Sequence, residues 1–101
     1  MTTVSTHVLD AVTGRPAVGV PVTLTDADGA VLADASTDLD GRVSDLHAGE
    51  LAGVYRLRFD TATYFAAQHV RSSFYPEIVI AFEIADPAGK YHVPVLLSPY
   101  A

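Results

Sequence analysis

The sequence contains no cysteine among its 101 residues. A disulfide framework, a thiol nucleophile and a cysteine-ligated zinc site are therefore excluded, and the redox compartment stays open. Basic residues are also few, six against twelve acidic ones, and the formal net charge of −6 opposes attraction to nucleic acid or an anionic membrane. No apolar run approaches the ~20 residues that span a bilayer. The N-terminus has no basic start followed by a long apolar stretch, so we expect no signal peptide and a cytoplasmic protein.

Half of the residues are apolar, which is too many for a disordered chain, and the length favours one domain over residues 1–101. Most apolar residues recur at period two, as in half-buried strands. The first predicted strand runs from Val4 to Asp10 and ends at a turn over 13–16; the other clear strand patterns cover residues 20–25, 55–59, 78–84 and 91–98. Turn signals lie at 28–29, 40–41 and 87–89.

One segment departs from this alternation. From Ala62 to Val70 the apolar residues fall at helical spacing, and either Asp60 or Thr61 is suited to cap the start of a helix. About seven strands and one short helix predict an all-β, Greek-key β-sandwich.

The histidines are the first candidates for chemistry, because an unperturbed imidazole titrates nearest to neutral pH. The chain has four: His7, His47, His69 and His92. None forms a closely spaced pair of metal-ligand type, so no metal is expected. His92 and His7 each lie on the polar face of a predicted strand, and Pro94 makes the strand of His92 an edge or an irregular strand. Taken alone, both are interpreted as surface histidines, while His47 is predicted in a loop and His69 on the helix with a structural role.

Arg42 follows the turn at 38–41 and begins the next short strand; by itself it is interpreted as a turn arginine paired with a nearby aspartate. The sequence has no nucleophile elbow, phosphate-binding loop or dinucleotide motif. The residues alone thus predict an acidic β-sandwich with two face-exposed histidines and an arginine. They do not identify a substrate.

Three stretches resemble the transthyretin-like family of 5-hydroxyisourate hydrolases: Ser5–Asp10 followed by 14–17, the turn 37–42, and the strand 91–99. The segments at 55–57, 59–61, 64–65 and 74–77 follow in the family's order, so the resemblance covers essentially the whole chain. It implies a single transthyretin-like (prealbumin-like) β-sandwich domain.

The resemblance also implies an activity. The family hydrolyses a ring amide of 5-hydroxyisourate, giving 2-oxo-4-hydroxy-4-carboxy-5-ureidoimidazoline, a step of purine metabolism in the degradation of urate to allantoin. His7, Arg42 and His92 match its catalytic and substrate-binding residues, and no cofactor is implied. The residues leave open which histidine is the base. The alternatives are a non-catalytic, transthyretin-type small-ligand binding protein, which lacks this residue set, and a purely structural sandwich.

The family's assembly is a homotetramer, a dimer of dimers with the sites between dimers, which would bury Leu96. Its chains end in a Tyr-Arg-Gly-Ser tail whose serine helps to complete the site. The present sequence stops at Ser98-Pro99-Tyr100-Ala101, where that last strand should begin. We therefore expect the last strand to be truncated here and the natural chain to continue by a short segment.

Overall fold

The computed structural model describes residues 1–68 and 74–99. Within these residues it contains eight strands and one helix. The strands are β1 (Thr2–Asp10), β2 (Arg15–Pro16), β3 (Pro21–Asp26), β4 (Val31–Ser36), β5 (Arg42–Gly49), β6 (Gly53–Phe59), β7 (Ile78–Ile84) and β8 (Lys90–Leu97), and the helix is α1 (Thr61–Ala67). The expected β-sandwich with one short helix is confirmed. The count of about seven strands was one too few, because the two-residue β2 forms within the stretch that was interpreted as a turn.

The strands form two sheets. In the first sheet β1 lies between β5 and β8, pairs in parallel with β8, and pairs antiparallel with β5 and with the short β2. The second sheet is antiparallel throughout, in the order β4-β3-β6-β7. After the β3–β4 hairpin the chain crosses to β5, returns to β6 and β7, and crosses again to β8. Among the described residues β8 pairs only with β1, in agreement with the edge position that Pro94 predicted.

The core lies between the two sheets and follows from alternation along each strand. On β1, every second residue from Thr2 to Asp10 is buried, while the residues between them are half-buried on the opposite face. The largest side chains with almost no exposure are Phe59, Leu24, Leu57, Ile84 and Leu97. Burial of one such side chain contributes roughly 1.5–3 kcal/mol, so this core supplies the main driving force for folding.

Helix α1 begins at the predicted cap. The Asp60 carboxylate accepts hydrogen bonds from the Thr63 backbone N–H at 3.1 Å and from the Thr63 hydroxyl at 2.8 Å. These bonds, the backbone bond first, lower the pKa of Asp60 because they favour its charged form. The helix ends at Ala67, three residues before the predicted end at Val70. His69 and Val70 lie outside the described residues. No helix in the described part of the chain has the length and apolar character to cross a membrane.

A buried hydrogen bond attaches the helix to the end of β1. The Tyr64 hydroxyl donates to Asp10 Oδ2 at 2.8 Å, and Asp10 Oδ1 accepts from the backbone N–H groups of Val12 and Thr13. Asp10 is 4% exposed, and these bonds compensate for the burial of its charge. Burial, followed by the hydrogen bond to Asp10, raises the pKa of Tyr64 to about 12.

Candidate active site

The predicted site residues lie on the outer face of the first sheet. His7 is half-buried on the face of β1 opposite the core, and His92 is exposed on the corresponding face of β8. Arg42 is exposed at the first position of β5. The expectation that both histidines lie away from the apolar stripes is therefore confirmed, and three adjacent strands bring the three side chains to one surface.

The turn before β5 positions Arg42. Asp38 Oδ1 accepts hydrogen bonds from the backbone N–H groups of Asp40 and Arg42, each at 2.9 Å. Gly41 adopts φ +75°, and a Cβ there would clash with the Val8 carbonyl oxygen on β1. The turn is thus fixed against β1, and Arg42 takes the register position opposite His7.

The interpretation of Arg42 as an arginine paired with a nearby aspartate is not supported. Asp38 contacts its backbone N–H, and the two ion pairs found within residues 1–68 and 74–99 join Met1 to Glu50 and Arg58 to Glu77. The guanidinium instead lines a cavity on the outer face of the sheet.

A β-bulge in β5 shapes this cavity. Val4 pairs with His47 and Thr6 pairs with Val43, so Ser44, Asp45 and Leu46 lie opposite the single residue Ser5. Ser44 and Asp45 are consequently both exposed, whereas Leu46 is buried. A bulge of this kind redirects side chains locally. Here it adds a hydroxyl and a carboxylate to the surface beside Arg42.

The prediction that His47 lies in a loop is wrong. β5 continues to Gly49, so His47 lies in a strand, paired with Val4, and not in a loop.

Arg42 and His92 share one open, polar cavity of about 520 Å³. Its lining comprises Thr3, Ser5, Arg42, Ser44, Asp45, Lys90, Tyr91 and His92. A smaller adjoining hollow of about 230 Å³ is also lined by Ser5, Arg42 and His92. Two cations, one carboxylate and several hydroxyl groups offer donors and acceptors for a small ligand that carries C=O and N–H groups.

His7 lies next to this cavity, but within the single chain it lines a different hollow. Its register partners are Arg42 on β5 and Pro94 on β8, whereas its side chain lines a separate hollow of about 330 Å³. The other residues lining that hollow are Leu9, Pro94, Val95 and Leu96, so its walls are mainly apolar. One chain therefore brings Arg42 and His92 into a common cavity and leaves His7 in the neighbouring one.

Ser5 contacts His92 and was not identified as a site residue from the sequence. Its Oγ lies 2.9 Å from Nδ1 of His92, and the two residues are partners in the parallel β1–β8 register. Since Nδ1 is engaged, Nε2 is the ring nitrogen available to a ligand. Lys90 and Asp45 were likewise not predicted. The unusual spacing of the apolar residues Val43 and Leu46, three apart, was the available signal for the bulge that exposes Asp45.

Among the described residues, no group of three histidine, aspartate or glutamate side chains is placed to hold a metal ion. The chemistry available to this part of the chain is that of an imidazole, a guanidinium and neighbouring hydroxyl groups. These groups suit proton transfer and the stabilisation of a developing oxyanion.

Comparison with known proteins identifies relatives over nearly the full chain. The model of the HIUase/Transthyretin family matches residues 4–101. The chain is 42% identical over 101 residues to the 5-hydroxyisourate hydrolase of Salmonella dublin, covering 95% of this chain and 74% of that protein. The solved structure of Klebsiella pneumoniae 5-hydroxyisourate hydrolase is similar with a TM-score of 0.88 and 39% identity, covering 98% of this chain and 91% of that one. Sparus aurata transthyretin gives a TM-score of 0.88 at 32% identity, covering 98% and 90%. The fold alone therefore does not separate a hydrolase from a transthyretin.

Proposed function

The chain belongs to the HIUase/Transthyretin family, and we propose that it hydrolyses 5-hydroxyisourate to 2-oxo-4-hydroxy-4-carboxy-5-ureidoimidazoline in urate degradation. The relatives named 5-hydroxyisourate hydrolase support this substrate. The observation that carries the proposal is the polar cavity in which Arg42 and His92 meet, with His7 paired to Arg42 in the adjacent register position.

In the proposed mechanism, Arg42 binds the heterocycle and stabilises charge. Its guanidinium is always protonated and presents a planar fork of donors, which suits the carbonyl and amide edge of an oxidised purine. When water adds to the ring carbonyl, negative charge develops on the carbonyl oxygen. Arg42 donates hydrogen bonds to that oxyanion.

His7 and His92 carry the proton transfers. One neutral imidazole takes a proton as the water oxygen bonds to the carbonyl carbon, and the other histidine orients the water or gives a proton to the departing ring nitrogen. The ring C–N bond then breaks, leaving a carboxylate and a ureido group. General base catalysis of this kind contributes ~10²–10⁴-fold. The scheme requires no metal or organic cofactor.

We further propose a cytoplasmic homotetramer, a dimer of dimers whose sites lie at the contact between dimers. Leu96 is 67% exposed beside the mainly apolar hollow of His7. A second copy of the chain that covers this face would remove Leu96 from water. It would also enclose His7 next to the cavity of Arg42 and His92, which a single chain leaves open.

The second candidate function is transthyretin-type binding of a small ligand without turnover. The equal structural similarity to a transthyretin and the apolar hollow beside Leu96 favour it. The polar cavity favours hydrolysis, because a carrier has no need of an imidazole held beside a guanidinium.

The deciding experiment follows the absorbance of freshly generated 5-hydroxyisourate with and without the protein. We expect decay much faster than the spontaneous rate, and loss of most of the acceleration in His7→Ala, Arg42→Ala and His92→Ala. Their stability should change by only about 0.5 kcal/mol, because none of the three side chains is in the core.

His47→Ala is the matched control, since His47 does not line these cavities, and it should keep most of the activity. Decay at the spontaneous rate with the unmodified protein would exclude the hydrolase. An equal loss in all four variants would contradict the site assignment.

A further inference from the structure

Ser5 occupies a particular place in the cavity. It lies on the outer face of β1, and the parallel register places it beside His92 of β8. Ser5 lines both polar hollows together with Arg42 and His92. The 2.9 Å contact between Ser5 Oγ and His92 Nδ1 joins a hydroxyl on the central strand to the imidazole on its neighbour.

The bulge of β5 lies beside this hydroxyl. Three residues of β5 lie opposite Ser5, where regular pairing would place one. The contact between Ser5 and His92, by contrast, lies within a continuous stretch of paired β1 and β8 residues. The strand pairing therefore places the two backbone positions side by side, within a continuously paired part of the sheet.

We propose that Ser5 is a positioning residue for the hydrolysis: its hydroxyl holds the His92 imidazole by Nδ1 and presents Nε2 to the cavity beside Arg42. This inference rests on the proposed function. The last torsion of a histidine side chain is broad and roughly two-fold, and a half-turn about it exchanges Nδ1 with Cδ2 and Nε2 with Cε1, so an unrestrained ring has two orientations. The contact with Ser5 selects one of these orientations.

A hydroxyl is suited to this task because it accepts a hydrogen bond from Nδ1–H without carrying a charge. Ser5 accepts from Nδ1–H when Nε2 is the basic nitrogen, and the same bond persists after Nε2 has taken a proton. A carboxylate partner would only accept, and its charge would favour the imidazolium. The charged residues that line the cavity with His92 are instead Arg42 and Lys90, opposed by Asp45.

The test compares Ser5→Ala, Ser5→Cys and Ser5→Thr with the unmodified protein, using 5-hydroxyisourate as the substrate. Ser5→Ala should lower kcat by roughly 10- to 100-fold, the range found when the partner that orients a metal-ligating histidine is removed. KM should change little, because Arg42 still binds the heterocycle. Ser5→Cys retains the side-chain volume but bonds weakly, so kcat should fall similarly. Ser5→Thr retains the hydroxyl, so it should retain most of the kcat of the unmodified protein.

A spectroscopic readout reports the contact without substrate. In ¹⁵N NMR spectra, with the His92 signals assigned by their loss in His92→Ala, the unmodified protein should show one predominant tautomer with Nδ1 hydrogen-bonded. Ser5→Ala should move these shifts toward those of an unrestrained imidazole. The control Ser36→Ala removes an exposed hydroxyl from β4 of the second sheet and should leave both kcat and the His92 signals unchanged.

The outcomes separate the two proposals. An unmodified protein that does not accelerate decay contradicts the proposed function, while the spectra still test whether Ser5 holds the ring. Full kcat in Ser5→Ala, in a preparation whose unmodified form is active, overturns the positioning role. A fall in kcat that leaves the His92 signals unchanged, or that Ser5→Thr does not reverse, overturns it as well.

Discussion

Removal of the Tyr64 hydroxyl should destabilise the fold well beyond an ordinary surface substitution. In Tyr64→Phe the ring still fills its place, but Asp10 loses the 2.8 Å hydrogen bond to Oδ2. A hydrogen bond to a charged group contributes about 1.5–3 kcal/mol, and Asp10 is only 4% exposed, so water replaces the lost donor poorly. We expect a loss of about 2 kcal/mol, which corresponds to a decrease of about 8–16 °C in Tm for a domain of this size.

The pH dependence gives the same prediction a second test. The folded protein raises the pKa of Tyr64 from its ordinary 10.0 to about 12, first by burial and then through Asp10. A raised pKa means that folding favours the protonated phenol. The stabilisation is therefore complete below pH 10 and disappears as the pH rises towards 12. A rise of this size corresponds to about 3 kcal/mol, which is an upper bound for the hydrogen bond because burial is its largest cause.

Urea denaturation of the unmodified protein and of Tyr64→Phe at pH 8 and at pH 12 measures both effects. The difference in unfolding free energy should be large at pH 8 and small at pH 12, since other titrating groups cancel between the two proteins. Tyr55→Phe is the control, because its hydroxyl donates to the neutral Ala52 carbonyl and its loss should cost only about 0.5–1.5 kcal/mol. Equal losses in the two variants at pH 8, or a Tyr64→Phe difference that persists at pH 12, would refute the reasoning.

Three further predictions concern assembly, the helix cap and the turn before β5. Leu96→Glu should split the proposed tetramer, because an unpaired charge is costly to bury. The control Leu32→Glu, on the second sheet, should leave the tetramer intact. Light scattering measures the mass, and a monomeric unmodified protein would contradict the proposed assembly. Asp60→Ala should cost about 1 kcal/mol at pH 7 in urea denaturation. Because folding lowers the pKa of Asp60, that difference should decrease as the pH falls below 3.8 through the folded pKa, and a pH-independent loss would argue against a cap by the charged carboxylate. In the same assay, Gly41→Ala should destabilise the protein more than Gly29→Ala. Both glycines have positive φ, but only the Cβ added at Gly41 meets other atoms. Equal losses of stability would exclude the clash.

Sequence patterns predicted the parts of the fold that depend on alternation and local turns. The strand at 78–84 has the predicted bounds, the hairpin at 28–29 connects β3 to β4, and Asp60 caps the helix. These features follow from neighbouring residues, because period-two burial and side-chain capping act within a few positions. The positions of His7 and His92 on strand faces directed away from the core were predictable for the same reason. The expected continuation of the chain past Ala101 stays a prediction.

Features that depend on pairing between distant strands were not predictable in the same way. The two-residue β2 forms because Arg15 and Pro16 meet the end of β1, and its sequence resembles a turn. The bulge in β5 is a property of the register with β1, so the exposure of Asp45 and the strand position of His47 follow from a partner strand. The pairing of Ser5 with His92 joins residues 87 positions apart, which no local pattern contains.

The alternation along β1 separates core residues from outer-face residues in a fold that this chain shares with both a transthyretin and a hydrolase. Val4, Thr6 and Val8 face the other sheet and are buried, whereas Ser5 and His7 alternate with them on the outer surface. Because successive side chains of a strand point to opposite faces, the outer residues can change while the core stays packed. The residues proposed for the reaction of this chain lie on the outer face of β1, β5 and β8. It follows that the activity of this chain must be tested by substitutions on that face, where a loss of turnover is separable from a loss of folding.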